Sequence, residues 1–82
     1  MNKAEKIFAK LTSRQRDAHF SFEELSLLLT NLGYTMRKAK GSHIIFQRES
    51  SFLNLQRVGG GRAKAYQVRQ VRQELQNMNL KP

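Results

Sequence analysis

Cysteine and tryptophan are absent from this chain, proline occurs once, and only six of its 82 residues are acidic. Without cysteine there is no disulfide, no thiolate zinc site and no cysteine nucleophile. That usage fits a reducing, cytoplasmic setting. The two histidines, His19 and His43, lie far apart in sequence, so no dedicated metal site is expected. Long apolar runs are missing too. None approaches the ~18 residues of a membrane span, and the start Met1-Asn2-Lys3-Ala4-Glu5-Lys6 leads into no apolar stretch of the signal-peptide kind. A chain of this length buries about 60% of its unfolded surface or slightly more. The core is then thin, residues 1–82 form one domain, and there is no room for a deep cofactor cavity. A site on such a domain is a shallow surface patch, and no cofactor is expected.

What is present in excess is positive charge. The fifteen Lys and Arg residues outweigh the acids to give +9, while 39% hydrophobic and 26% charged residues fit an ordered globular domain. The excess is uneven: residues 1–36 hold five basic and four acidic side chains, residues 37–82 ten and two. A basic half on a small domain points to a polyanion, most often nucleic acid. Solubility or an acidic protein partner is the plainer alternative.

Ala4, Ile7, Phe8 and Leu11 recur at helical spacing, with Asn2 and Glu5 placed to cap. Residues 12–19 read as a polar connection. Ser21 and Glu24 form a capping box, and Phe20 and Leu25 sit where a hydrophobic staple packs. Phe22, Leu25, Leu28, Leu29 and Leu32 then make one apolar stripe, closed by Gly33. Beyond Gly33 the period becomes two. "YTMRKAK" (34–40) alternates Tyr34 and Met36 against Thr35 and Arg37; "HIIFQR" (43–48) and "FLNLQRV" (52–58) follow across short turns. Short turns imply an antiparallel meander. After Gly59-Gly60-Gly61 a last helix runs from about Tyr66 to about Met78, lined by Val68, Val71, Leu75 and Met78, with a fraying polar end "NLKP". The expected class is α+β: a three-stranded antiparallel sheet in an α-β-β-β-α core over residues 21–78, preceded by an extra N-terminal helix and connection over residues 1–20. That core order is like the one of double-stranded-RNA-binding domains.

The stretch "KGSHIIF" (40–46) carries the chemistry. A titratable ring stands at the mouth of an apolar strand, behind a glycine that lets backbone approach a ligand and among Arg37, Lys38 and Lys40. Histidine moves protons near neutrality, and cations beside it can stabilise a crowded phosphate. The alternative is a strand-end histidine that only satisfies a hydrogen bond. His19, in the polar connection, reads as surface or capping structure. "GGGRAK" (59–64) precedes a helix start, where free amides with Arg62 and Lys64 could grip a phosphate; an ordinary connector fits equally. Arg69 and Arg72 either extend the basic patch or solvate their helix. Tyr34 and Tyr66 are the only plausible stacking groups, because most Phe residues fall on expected core faces, so weak base preference is expected.

"FEELSLLLTNLGY", "KGSHIIF", "LNLQR" and "AKAYQVRQVRQEL" together resemble the HicA family of bacterial toxins, small mRNA interferases paired with HicB antitoxins, over roughly residues 22–76. Gly41-Ser42-His43 followed by an apolar strand is the most specific part. The resemblance implies a double-stranded-RNA-binding-like fold, metal-independent mRNA cleavage with His43 as the catalytic histidine, and a HicB-type antitoxin covering the basic site. Many members carry a proline and a second histidine around the third strand, where this chain has Leu55-Gln56-Arg57. The N-terminal helix is also additional. On this reading Arg37, Lys38, Lys40, Gly41, Ser42, Arg57, Arg62, Lys64, Arg69 and Arg72 hold the RNA beside His43, with no metal and no membrane. The competing reading is a non-catalytic RNA-binding module of the same fold.

Overall fold

The computed structural model describes residues 2–13 and 17–82; residues 14–16 of the expected connection lie outside the described residues. The order is α1 (Lys3–Thr12), a 3₁₀ turn (Asp17–His19), α2 (Phe22–Asn31), β1 (Thr35–Lys38), β2 (His43–Arg48), β3 (Ser51–Gln56), a 3₁₀ turn (Gly59–Gly61) and α3 (Ala65–Asn77). The class is α+β, with three α-helices and a three-stranded antiparallel sheet in the order β1-β2-β3.

Local chemistry sets the helix ends. Asn2 Oδ1 accepts from the Glu5 amide at 2.8 Å, and Glu5 Oε1 accepts from the Asn2 amide at 2.9 Å. Ser21 and Glu24 repeat the exchange at the start of α2, at 3.0 and 2.9 Å. Each box satisfies two amides that a helix start leaves without partners. α2 closes on Gly33 at φ 94°, with the Tyr34 amide reaching Leu29 O (3.0 Å) and the Gly33 amide reaching Thr30 O (3.1 Å). This pair of bonds needs a left-handed residue, which glycine adopts at little cost.

The end of α3 differs from expectation. Instead of fraying, it closes with the same pair of bonds: Leu80 N to Leu75 O (2.9 Å) and Asn79 N to Gln76 O (3.1 Å). Asn79 takes the left-handed position at φ 54°, and Leu80 packs against the core. Asparagine tolerates that conformation better than other residues with a β-carbon.

The core is a single cluster. α1 contributes Ala4, Ile7 and Leu11; α2 contributes Phe22, Leu25, Leu28 and Leu29; α3 contributes Val68, Val71 and Leu75. They pack on Phe46, Leu53 and Leu55 of the sheet, with Ile44 partly buried beside them. Strand alternation then assigns the other face. Its cross-strand rows are Thr35–Gln47–Phe52, Arg37–Ile45–Asn54 and His43–Gln56. Met36 shares the helix-facing side with its partner Phe46, yet it is 47% exposed, because β1 is an edge strand beyond the rim of the core. It meets Ser26, whose hydroxyl lies 3.6 Å from the Met36 sulfur.

Two buried polar groups fasten the sheet to α3. Ser51 donates to Glu74 Oε2 at 2.5 Å, and its oxygen lies 2.7 Å from the Tyr34 hydroxyl. Gln67, 2% exposed, sets its amide against the free edge of β3. In the orientation that satisfies both partners, it accepts from Gln56 N at 2.7 Å and donates to Gln56 O at 3.3 Å. An unpaired backbone amide and carbonyl are thereby capped where, among the described residues, no further strand pairs. Among the described residues, no helix is long and apolar enough to cross a membrane.

Candidate active site

The turn between β1 and β2 is tight. The Ala39 amide donates to His43 O at 2.9 Å, and the His43 amide to Lys40 O at 3.3 Å. Gly41 sits inside it at φ 68°; a β-carbon there would meet nothing within 4 Å. The glycine therefore serves the backbone conformation, and the space outside the turn is open.

His43 is the first residue of β2 and projects, exposed, on the sheet face away from the helices. Its Nδ1 lies 3.1 Å from Asn54 Oδ1, on the neighbouring strand. An amide oxygen only accepts, so Nδ1 carries the proton. In the tautomer with the proton on Nδ1, Nε2 is the acceptor that a general base requires. Asn54 thus orients the ring and, as acceptor, suits that tautomer.

Lys38, Gly41, Ser42, His43, Ile44 and Arg57 line a shallow cleft of about 200 Å³. The end of β3 closes it, with the Arg57 amide donating to Ser42 O at 3.1 Å. Gln56 links a further cation to the cleft: its Nε2 donates to Ser42 Oγ at 3.1 Å, and its Oε1 accepts from Lys64 Nζ at 3.2 Å. Lys64, at the start of α3, therefore stands beside the residue that precedes His43. The Gln67 clamp on Gln56 backbone holds that junction in place.

The basic residues fall into two groups. Arg37 and Lys40 are exposed beside His43, on β1 and in the turn. Among the described residues, no carboxylate forms an ion pair with Arg37, Lys38, Lys40, Arg62 or Lys64. Arg57 is shared: it pairs with Glu23 and lies over the Phe22 ring at 5.0 Å. Arg62 is bridged to Ser21 and lines a separate hollow with His19, Gly60 and Gly61. The remaining expected site residues are elsewhere. Arg72, 17% exposed, donates to Asp17 Oδ1 at 2.5 Å and to Leu11 O at 2.7 Å. Arg69, 61% exposed, lies 3.7 Å from the other Asp17 oxygen. The hydrogen bond from Arg72 holds the Asp17 carboxyl below its ordinary range against the opposing effect of burial, and the charges of Arg72 and Arg69 add to it. Arg72 is thus a structural clamp between α3, the first 3₁₀ turn and the end of α1.

The stacking groups also differ from expectation. Tyr34 is buried, with its hydroxyl against Ser51, and is not available to a base. Phe52, not counted among the stacking groups from sequence, is 55% exposed on the open sheet face; Tyr66 is exposed near Lys64. Asn54, Gln56 and Phe52 are the site residues that sequence reasoning missed. Their signal was the alternation of β3, which sets 52, 54 and 56 opposite Leu53 and Leu55. No protein-family profile, curated protein or solved structure matches this chain.

Proposed function

We propose that this chain is a metal-independent endoribonuclease of the HicA toxin type, acting on mRNA in the cytoplasm and restrained by a HicB-type antitoxin. The observation that carries the reading is the state of His43: exposed at a strand start, oriented by Asn54 with Nε2 left free, at the edge of a cleft flanked by cations. The succession α2-β1-β2-β3-α3, with the helices on one side of the sheet, supports a double-stranded-RNA-binding-like fold for residues 22–77.

The chemistry follows from that placement. Nε2 of His43 removes the proton from a ribose 2′-hydroxyl. The oxygen attacks the adjacent phosphorus, a 2′,3′-cyclic phosphate forms, and the bond to the 5′-oxygen breaks as that oxygen takes up a proton. Lys38, Lys64 and Arg57 stabilise the extra negative charge on the phosphoryl oxygens. A positioned base contributes roughly 10²–10⁴-fold in rate. The same cations, with Arg37 and Lys40, hold the flanking phosphates, and their charge is what an acidic antitoxin surface would cover.

The test is cleavage of a long unstructured RNA in excess chelator, comparing the parent with His43→Ala. Loss of cleavage in a mutant that melts like the parent supports the reading. Equal cleavage by both, or by neither, removes it. A binding module that does no chemistry is the second reading, favoured by the hydrogen bond to Asn54, which a purely structural strand-end histidine would also make. RNA affinity that survives His43→Ala, with no cleavage by the parent, would select it.

A further inference from the structure

The sheet face opposite the helices has no covering element among the described residues, and Phe52 stands on it more than half exposed. A phenylalanine ring left in water forgoes the stabilisation that burying it would give. The neighbours of Phe52 are not those of a protein-docking patch. Gln47 lies directly across from it, Asn54 follows two residues on, and Ile45 and Arg37 occupy the next row. No residue of the three cross-strand rows on this face is acidic. One ring, side-chain amides around it, an arginine and no negative charge suit a nucleobase and its phosphate better than an apolar protein surface.

The face meets the cleft at His43, while the cleft's other strand residues, Lys38 and Ile44, have the helix-facing parity. Same-face side chains recur every ~6.6 Å along a strand, so the Phe52 row lies ~13 Å from the His43 row. Arg37 occupies the row between them. A strand with its phosphate at His43 reaches Phe52 within a few nucleotides, passing the Arg37 guanidinium on the way.

We infer that the open face of the sheet is a platform for single-stranded RNA, on which Phe52 stacks a base close to the bond presented to His43, with Gln47 offering hydrogen bonds to that base's edge. This rests on the proposed ribonuclease reading and extends it by naming the substrate form. Single strands with splayed bases fit the face; a duplex, with its bases stacked inside, cannot place one on Phe52.

The test is RNA binding by the full chain carrying His43→Ala, so that nothing is cut. The probes are a short, fluorescent, mixed-sequence single-stranded RNA and its duplex. Adding Phe52→Ala is expected to weaken single-strand binding roughly tenfold, with Phe52→Leu behaving like alanine and Phe52→Trp like the parent. The salt dependence should keep its slope, because stacking neutralises no phosphate. Duplex binding should be unaffected. Alanine binding within about twofold of the parent overturns the platform, since a stacked base is worth more than that. Full rescue by leucine overturns stacking. A dimer in sedimentation that Phe52→Ala dissociates assigns the face to a second copy instead. If His43→Ala fails to abolish cleavage in the separate assay, only the catalytic reading is lost. If Phe52→Ala leaves binding intact, only the platform is lost. A parent that binds no RNA at all overturns both.

Discussion

Arginines and lysines serve opposite purposes at two places in this molecule. Around the β1–β2 turn, Arg37, Lys38, Lys40 and Lys64 are joined by no carboxylate ion pair among the described residues. At the junction of α1, the first 3₁₀ turn and α3, Arg72 and Arg69 converge on Asp17. Residue type does not distinguish the two places; the presence of one partly buried acid does. Where an acid is present, the cations fasten helices together. Where none is present, their field extends outward and is available to a polyanion. The scarce acids are all engaged: Glu5 and Glu24 in caps, Asp17 in the clamp, Glu23 with Arg57, Glu49 with Arg48, and Glu74 with Ser51.

The contrast is broken most severely by removing one side chain from each place. His43→Ala should lower RNA cleavage by at least ~10²-fold while leaving the melting temperature unchanged, since the ring is exposed. Arg72→Met should do the reverse. It keeps the aliphatic packing but leaves the Asp17 carboxylate and Leu11 carbonyl without their donor. A cost of about 1–3 kcal/mol is expected. In a domain of this size each kcal/mol lowers the melting temperature by roughly 4–8 °C. RNA affinity at constant fold should hardly change. An Arg72→Met protein that melts like the parent but loses RNA binding would place Arg72 in the interface and erase the contrast.

The acid side sharpens it next. The Asp17 carboxyl lies below its ordinary value of 3.8 in the folded chain. A depressed folded value means the unfolded chain binds the proton more readily. Its stabilising contribution is therefore complete above that ordinary value and is lost as pH falls through the lower folded one. Thermal melts between neutral pH and strong acid should show this loss, and Asp17→Asn should flatten that portion of the curve while lowering stability at neutral pH. Equal pH dependence in both proteins would assign the acid sensitivity to another carboxylate.

How much of this could be read from the chain depends on sequence distance. Both capping boxes, the Gly33 stop and the strand alternation are local, and each is where the residues placed it. The place of His43 at the exposed start of β2 was legible for the same reason: the glycine, the serine, the ring and the strand are consecutive. What orients His43 was not. Asn54 reaches it across a hairpin, and the Asp17–Arg72 clamp spans 55 residues. Composition was also a poor guide. Most phenylalanines here are core, yet the parity that turns Leu53 and Leu55 inward turns Phe52 outward. Arg72 reads as part of a charged helix face, yet its position relative to α1 and the 3₁₀ turn gives it an acid.

The finest prediction concerns Lys64, which lies between the two behaviours. It starts a helix, as a structural residue would, but its ammonium bonds Gln56 Oε1 near the Tyr66 ring and, among the described residues, meets no carboxylate. An ammonium held by one neutral amide keeps most of its capacity to donate. If it binds a phosphate, Lys64→Gln removes about one counterion's worth of salt dependence, lowering the slope of log affinity against log salt by about one. The change in affinity at physiological salt should be small, and the melting temperature nearly constant, because an exposed hydrogen bond of this kind contributes little. A slope that does not move, together with a lower melting temperature, would show that Lys64 fastens α3 to β3 and that the outward-facing charge ends at the turn.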